Sequence, residues 1–119
     1  MAYYRYEVIK RAANDILVEE AHGGSGRRKV YASPEHMQST HFEMMTHGYL
    51  PAGQTFDWHD HPGEEEIMVV VKGNGEVHDE DGVYPYAPGD MFVFPANVQH
   101  KVHNPSSEEH EMLFVRVKV

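Results

Sequence analysis

Apolar residues along this chain come in short runs, some alternating and some continuous, bounded by Gly, Pro, Asn and Asp, and a helical period is scarce. That pattern predicts strands over residues 3–9, 16–20, 29–32, 41–49, 67–72, 76–79, 83–86, 91–94, 100–103 and 112–119. Glycine- and proline-rich turns separate them: Pro51-Ala52-Gly53, Lys72-Gly73-Asn74-Gly75, Asp81-Gly82, Ala87-Pro88-Gly89-Asp90 and the polar stretch Asn104 to Glu109. Short strands joined by tight turns suit an all-β, closed or double-sheet antiparallel architecture of jelly-roll type. The strand over 67–72 alternates Met68 and Val70 with Ile67, Val69 and Val71, so both of its faces are expected to find cover, one of them in a homodimer interface. The strand over 91–94 is expected to be buried.

Composition narrows the function classes. A chain of 119 residues fits one domain with its own core. Formal charge is −9, from 10 Lys+Arg against 19 Asp+Glu, a balance that repels phosphate backbones and anionic lipid surfaces, so neither nucleic acid nor membrane is an expected partner. The absence of cysteine removes thiolate ligands, disulfides and a cysteine nucleophile. The first residues lack the apolar core of a secretory signal, which points to a cytoplasmic protein. His22 to Gly26 reads as a flexible glycine-rich loop, and the basic cluster Arg27, Arg28 and Lys29 reads as a solvated strand end, not an anion site.

The chemistry concentrates between Gly53 and Gly73. His59 and His61 are two apart, so on an extended strand both imidazoles project from one face. Glu64, Glu65 and Glu66 follow across a Pro62-Gly63 turn. An H-x-H pair alone is a weak signal, but a second block, Gly89 to Asn104, places His100 on a strand that can lie beside the first. One ion could then collect His59, His61, His100 and a carboxylate.

With both blocks in view, the chain resembles the cupins. The first cupin motif, Gly, five residues, His-x-His, three or four residues, Glu, six residues and Gly, is met by Gly53, His59, His61, Glu66 and Gly73. The second is met by Gly89, Pro95, His100 and Asn104, with Asn97 standing where the family often has glycine; asparagine tolerates the left-handed backbone such a turn requires. The resemblance implies a single cupin domain over residues 1–119, a double-stranded β-helix, with the motifs at 53–73 and 89–104 and the N-terminal strands and glycine-rich loop in residues 1–30, which carry no match. It implies the metal ligands His59, His61, Glu66 and His100. Choosing Glu65, the runner-up, breaks the family's spacing to Gly73 and the inward alternation with Met68 and Val70.

Three imidazoles and a carboxylate favour Fe, Mn, Co, Ni, Cu or Zn over Mg or Ca. Four protein ligands leave two places open in an octahedral shell, which makes iron, manganese or nickel the preferred reading. By resemblance the function is that of a metal-dependent enzyme of dioxygenase, isomerase or lyase type acting on a small molecule; the alternative is a non-catalytic or sensory ligand-binding module. Candidate acids or bases near the site are His47, Tyr49, Tyr86 and His103. His22, His36 and His110, in polar surroundings, read as solvated surface histidines, and His103 is expected to face away from His100.

Overall fold

A computed structural model describes residues 7–119, so the expected strand over 3–9 lies mostly outside the described residues. The strands are β1 (Val18–Ala21), β2 (Gly26–Ala32), β3 (Phe42–Leu50), β4 (Thr55–His59), β5 (Glu64–Lys72), β6 (Gly75–Asp79), β7 (Val83–Tyr86), β8 (Met91–Phe94), β9 (His100–His103) and β10 (His110–Lys118). Among the described residues there is no α-helix, only three short 3-10 turns, and therefore no helix long and apolar enough to cross a membrane. The strands form two antiparallel sheets, six-stranded in the order β1-β2-β3-β10-β5-β8 and four-stranded in the order β4-β9-β6-β7. The glycine-rich segment is built as one of the 3-10 turns, His22–Gly24, with Gly23 in the left-handed region at φ 68°.

Alternation assigns the faces. Along β5, Glu66, Met68 and Val70 are buried, while Ile67 and Val71 are 42% and 45% exposed. Along β9, His100 and Val102 point inward and Lys101 and His103 are half-buried. The core joins Leu50, Phe56, Met68, Val77, Val102 and Met112 between the sheets, with Phe94 closing one side. β5 is covered within the chain on one face, and its outer face meets no second layer of the same chain. One expectation is corrected here. β8 is an edge strand in which only Phe94 is buried and Met91 and Val93 are exposed, since period two sends alternate residues out of a sheet lined on one side.

Three connections hold the ends of the barrel. Asn97 adopts φ 66°, the left-handed backbone expected of it, and its N–H donates to the His61 carbonyl at 3.4 Å, tying the turn before β9 to the turn after β4. Gly73, at φ 107°, leaves room for the buried His110 ring; a Cβ there would lie 2.1 Å from it. Asn104, fully buried, donates from Nδ2 to the carbonyls of Leu50 (3.0 Å), Pro51 (3.1 Å) and Glu108 (2.7 Å), and its Oδ1 accepts from the N–H and hydroxyl of Ser106 (2.9 and 2.7 Å).

Asn104 thus pins the β9–β10 loop to the end of β3 through its amide group. Asn104→Asp keeps the shape but turns the donor face toward three carbonyls into an acceptor, and should cost about 3 kcal/mol. Urea unfolding of the two proteins at neutral pH measures the difference; equal midpoints would show that the carbonyls find other donors.

Candidate metal centre

His59 is the last residue of β4 and sits directly opposite His100, the first residue of β9, in the strand register. His61 lies two residues beyond the end of β4, where the Pro62-Gly63 turn into β5 begins, so it is not on the strand that carries His59. The turn is held by the His61 carbonyl, which accepts from the N–H groups of Glu64 (3.2 Å) and Asn97 (3.4 Å). The three rings converge, with centroids 4.3 Å apart for His59 and His100, 5.1 Å for His59 and His61, and 5.6 Å for His61 and His100. One nitrogen from each ring lies within 4.8 Å of the others. Phe94 stacks flat on His100 at 3.9 Å and fixes that ring's plane.

Hydrogen bonds outside the cluster orient the rings. His59 Nδ1 donates to the Asp57 carbonyl at 2.6 Å and His100 Nδ1 to the Val98 carbonyl at 3.1 Å, which leaves each Nε2 with its lone pair for another partner. His61 Nε2 is buried with no hydrogen-bond partner. Glu66 stands beside it, Oε1 at 3.4 Å, in a geometry that makes no hydrogen bond, while Oε2 accepts from Arg116 at 3.3 Å. Glu66 is buried and Glu65 exposed, so of the adjacent glutamates it is Glu66 that points into the barrel. Burial works to raise the Glu66 pKa, but the nearby His61 and Arg116 outweigh it and hold the carboxyl below its usual value, ionised at neutral pH.

His59, Glu66 and His100 line a cavity between the sheets whose inner chamber is about 30 Å³, with Thr46, Phe56 and Phe114 also in the lining; His61 is not among the lining residues. His22 also lines it. The residue is exposed, as expected of a surface histidine, but its ring stacks on Phe56 at 4.0 Å and meets His59 edge-on at 5.2 Å, which corrects the expectation of a fully solvated ring. The glycines that follow it let the chain fold that ring back over β4. Burial lowers its pKa to about 4, with the His59 ring adding to the shift, so it is neutral at pH 7.

His110 is likewise corrected: it is buried, bonded through Nδ1 to the Tyr86 hydroxyl (2.6 Å) and through Nε2 to Ser106 (2.9 Å), and it does not line the cavity. His36 is half-buried, its Nδ1 accepting from the Ser33 N–H at 3.0 Å. His47 and Tyr49 stack on each other on the outer face of β3, and His103 bonds Thr55 at 2.7 Å; none of these, nor Tyr86, lines the cavity. Sequence reasoning missed His22, Arg28 and Arg116 as cavity residues. Only Arg116 carried a signal, lying two and four residues from inward Phe114 and Met112 on the same strand.

The donor set fits a divalent transition metal. Two imidazoles are held by backbone carbonyls in the tautomer that frees Nε2, a third has a buried nitrogen with no partner, and an ionised carboxylate lies alongside.

Comparison with known proteins agrees with this geometry. Residues 46–116 match the family model described as Cupin domain. The chain is 32% identical over 66 residues to an oxalate-binding protein of Thermotoga maritima, an alignment covering 56% of this chain and 54% of that one. It is 31% identical over 62 residues to Polyketide synthase CurC of Streptomyces cyaneus, covering 52% and 40% of the two. The chain therefore spans about half the length of the curated relatives it matches. Among solved structures, that of a predicted oxalate decarboxylase from Thermotoga maritima superposes with a TM-score of 0.81 at 25% identity, covering 93% of this chain and all of that one.

The burial of His100 has a consequence for pH. Desolvation lowers its pKa from 6.5 to about 4, against a smaller opposing effect of the Val98 carbonyl. Between those values the unfolded chain takes up a proton that the folded chain refuses, so the stability contribution is whole above about pH 6.5 and lost progressively as pH falls to about 4. The loss attributable to His100 in chelator-treated protein should be about 3 kcal/mol. Urea unfolding at pH 7 and pH 4 should show a loss smaller by that amount in His100→Gln than in wild type; equal losses would remove His100 as a buried neutral group.

Proposed function

The chain belongs to the cupin family, and on that premise we propose that it binds a divalent transition metal through His59, His61, Glu66 and His100 and acts on a small organic molecule held there, as a metal-dependent enzyme of dioxygenase, isomerase or lyase type. The observation that carries this reading is the pair of backbone carbonyls fixing His59 and His100 with Nε2 turned free beside the unpartnered Nε2 of His61. Iron, manganese or nickel suits this set best, with zinc, cobalt or copper as alternatives. A bound ion would supply Lewis acidity toward a substrate oxygen.

The chain's own residues supply the rest. Arg116 holds one oxygen of Glu66 and leaves the other directed to the cluster side. Phe56 and Phe114 wall the inner chamber with apolar surface, and Phe94 packs behind His100. His22, neutral at pH 7, offers a hydrogen-bonding group on the wall without adding charge.

A second reading, a binder without turnover, is favoured by one relative: the Thermotoga maritima protein is named for oxalate binding. Oxalate is therefore the first ligand to test under either reading. Metal analysis of protein purified without added metal should find an ion in wild type and a several-fold loss of it in His59→Ala and His100→Ala. Incubating the loaded protein with oxalate and following oxygen uptake and carbon by NMR then separates the readings, since chemical change supports the enzyme and saturable binding without change supports the binder. Equal metal content in wild type and both variants would sink the centre itself.

The proposal includes a homodimer. Ile67 pairs with Val93 and Val69 with Met91 on the outer face of β5 and β8, a contiguous apolar patch in which Ile67, Met91 and Val93 are 42%, 57% and 52% exposed. Light scattering should give twice the monomer mass of 13.6 kDa, and Val93→Lys should return it to that mass. A wild type that is monomeric at micromolar concentration would refute the pairing.

A further inference from the structure

We propose that Arg28 and Arg116 form a carboxylate-binding subsite at the neck of the cavity, so that the molecule taken by this site is a small organic acid whose carboxylate end enters the inner chamber. The inference rests on the preceding reading of this cavity as the ligand site, and adds the chemical class of the ligand and the residues that select it.

The arginines come from strands that are not neighbours. Arg28 is on β2 and Arg116 on β10, with β3 between them in the sheet. Met44 of β3 is the register partner of Arg116, and Arg28 Nη1 reaches the Met44 sulfur at 3.6 Å, so Arg28 extends toward the strand position opposite Arg116, and both arginines line one cavity. The basic cluster that reads in sequence as a solvated strand end is therefore divided by alternation: Arg28 turns into the barrel, paired through Nε with Glu19 at 2.7 Å.

Hydrogen-bond accounting leaves donors to spare. A guanidinium has five N–H groups. Arg116 gives one nitrogen, Nη2, to Glu66, and its Nε is buried with no acceptor. A buried N–H without a partner is costly, and a carboxylate offers two acceptor oxygens in the geometry a guanidinium matches.

Placement points the same way. Arg28 and Arg116 line the inner chamber, while the Arg27 guanidinium stands over the Tyr49 ring on the outer face and pairs with Glu109 at 2.7 Å. The inner chamber, about 30 Å³, is more than a single bound water needs and suits a small polar head group. Outside it opens a vestibule of about 390 Å³ bordered by Glu20, Gly23 and Gly24. Arg28 and Arg116 line both spaces, which places them where a carboxylate would pass from one to the other.

Calorimetric titration tests this, with oxalate and pyruvate as acids and pyruvamide as the neutral analogue, on wild type, Arg28→Gln and Arg28→Lys, with metal content and circular dichroism recorded for each sample. Wild type should bind at least one of the acids, and pyruvamide at least tenfold more weakly. Arg28→Gln should weaken acid binding at least tenfold with metal content unchanged, and Arg28→Lys, which keeps the charge, should recover part of the loss. Arg28→Gln binding as tightly as wild type, pyruvamide binding as well as the acids, or neither acid binding wild type would overturn the subsite. Should Arg28→Gln fail to fold, Arg28→Lys and the neutral analogue still decide it. A wild type without metal that loses acid binding in Arg28→Gln would sink the metal reading and leave the subsite standing.

Discussion

A buried, ionised carboxylate is the constraint on which the interior of this protein depends. Glu66 shares the inward face of β5 with Met68 and Val70, so the alternation that fills the core also carries a charge into it. Such a charge is expensive without partners. The sheet supplies one directly: Arg116 on β10 stands opposite Glu66 in the register and reaches its Oε2. The turn after β4 brings the His61 ring to within 3.4 Å of Oε1. A slip of one residue in β5 would turn Glu66 to the outer face, away from both Arg116 and His61.

The positions of the imidazoles follow from backbone more than from side-chain packing. His59 and His100 are cross-strand partners, and each is oriented by a carbonyl two residues earlier in its own chain segment. His61 is placed by a turn whose carbonyl receives amides from both sequence blocks. Asn97 matters here through its backbone: its left-handed conformation is what allows its N–H to reach that carbonyl. The cluster is therefore built on two strand ends and a turn, and β2, β3 and β10 contribute to the cavity wall around it.

Most of the strands and the inward choice of Glu66 were legible in the sequence, because period two and turn residues are local signals. β7, β8 and β9 have the expected bounds, β4 is not among the strands the apolar pattern predicts, and the others differ by a few residues at their ends, where hydrogen bonding across the sheet extends a strand past its apolar run. What was not legible depended on long-range placement. His22 sits in a glycine-rich segment whose composition says only that it is no regular element, yet that segment folds its ring onto Phe56. Arg28 belongs to a run of three basic residues that looks uniform until the strand register assigns alternate faces. His110 follows two glutamates and appears hydrophilic, but Gly73 opens a space for its ring from 37 residues earlier in the chain.

Comparing the two ends of the barrel separates histidines that hold the fold from those available for chemistry. His110 has both ring nitrogens engaged, one by Tyr86 and one by Ser106, and His47 likewise bonds Tyr31 and Glu111. Such a ring has no lone pair or proton left to offer. His59 and His100 each spend only Nδ1 on a carbonyl, and His61 Nε2 is buried without a partner, so three unspent nitrogens face one another. His78 Nε2 is also buried and unpartnered, but it has Glu76 at 4.0 Å and belongs to no such group among the described residues. Burying the His61 Nε2 without a partner beside two further unspent ring nitrogens is unfavourable for folding alone. That cost is coherent if the site is selected for what it binds, and the same reasoning applies to the unpartnered Nε of Arg116 at the cavity neck: both are polar atoms that the fold positions and leaves for a ligand to satisfy.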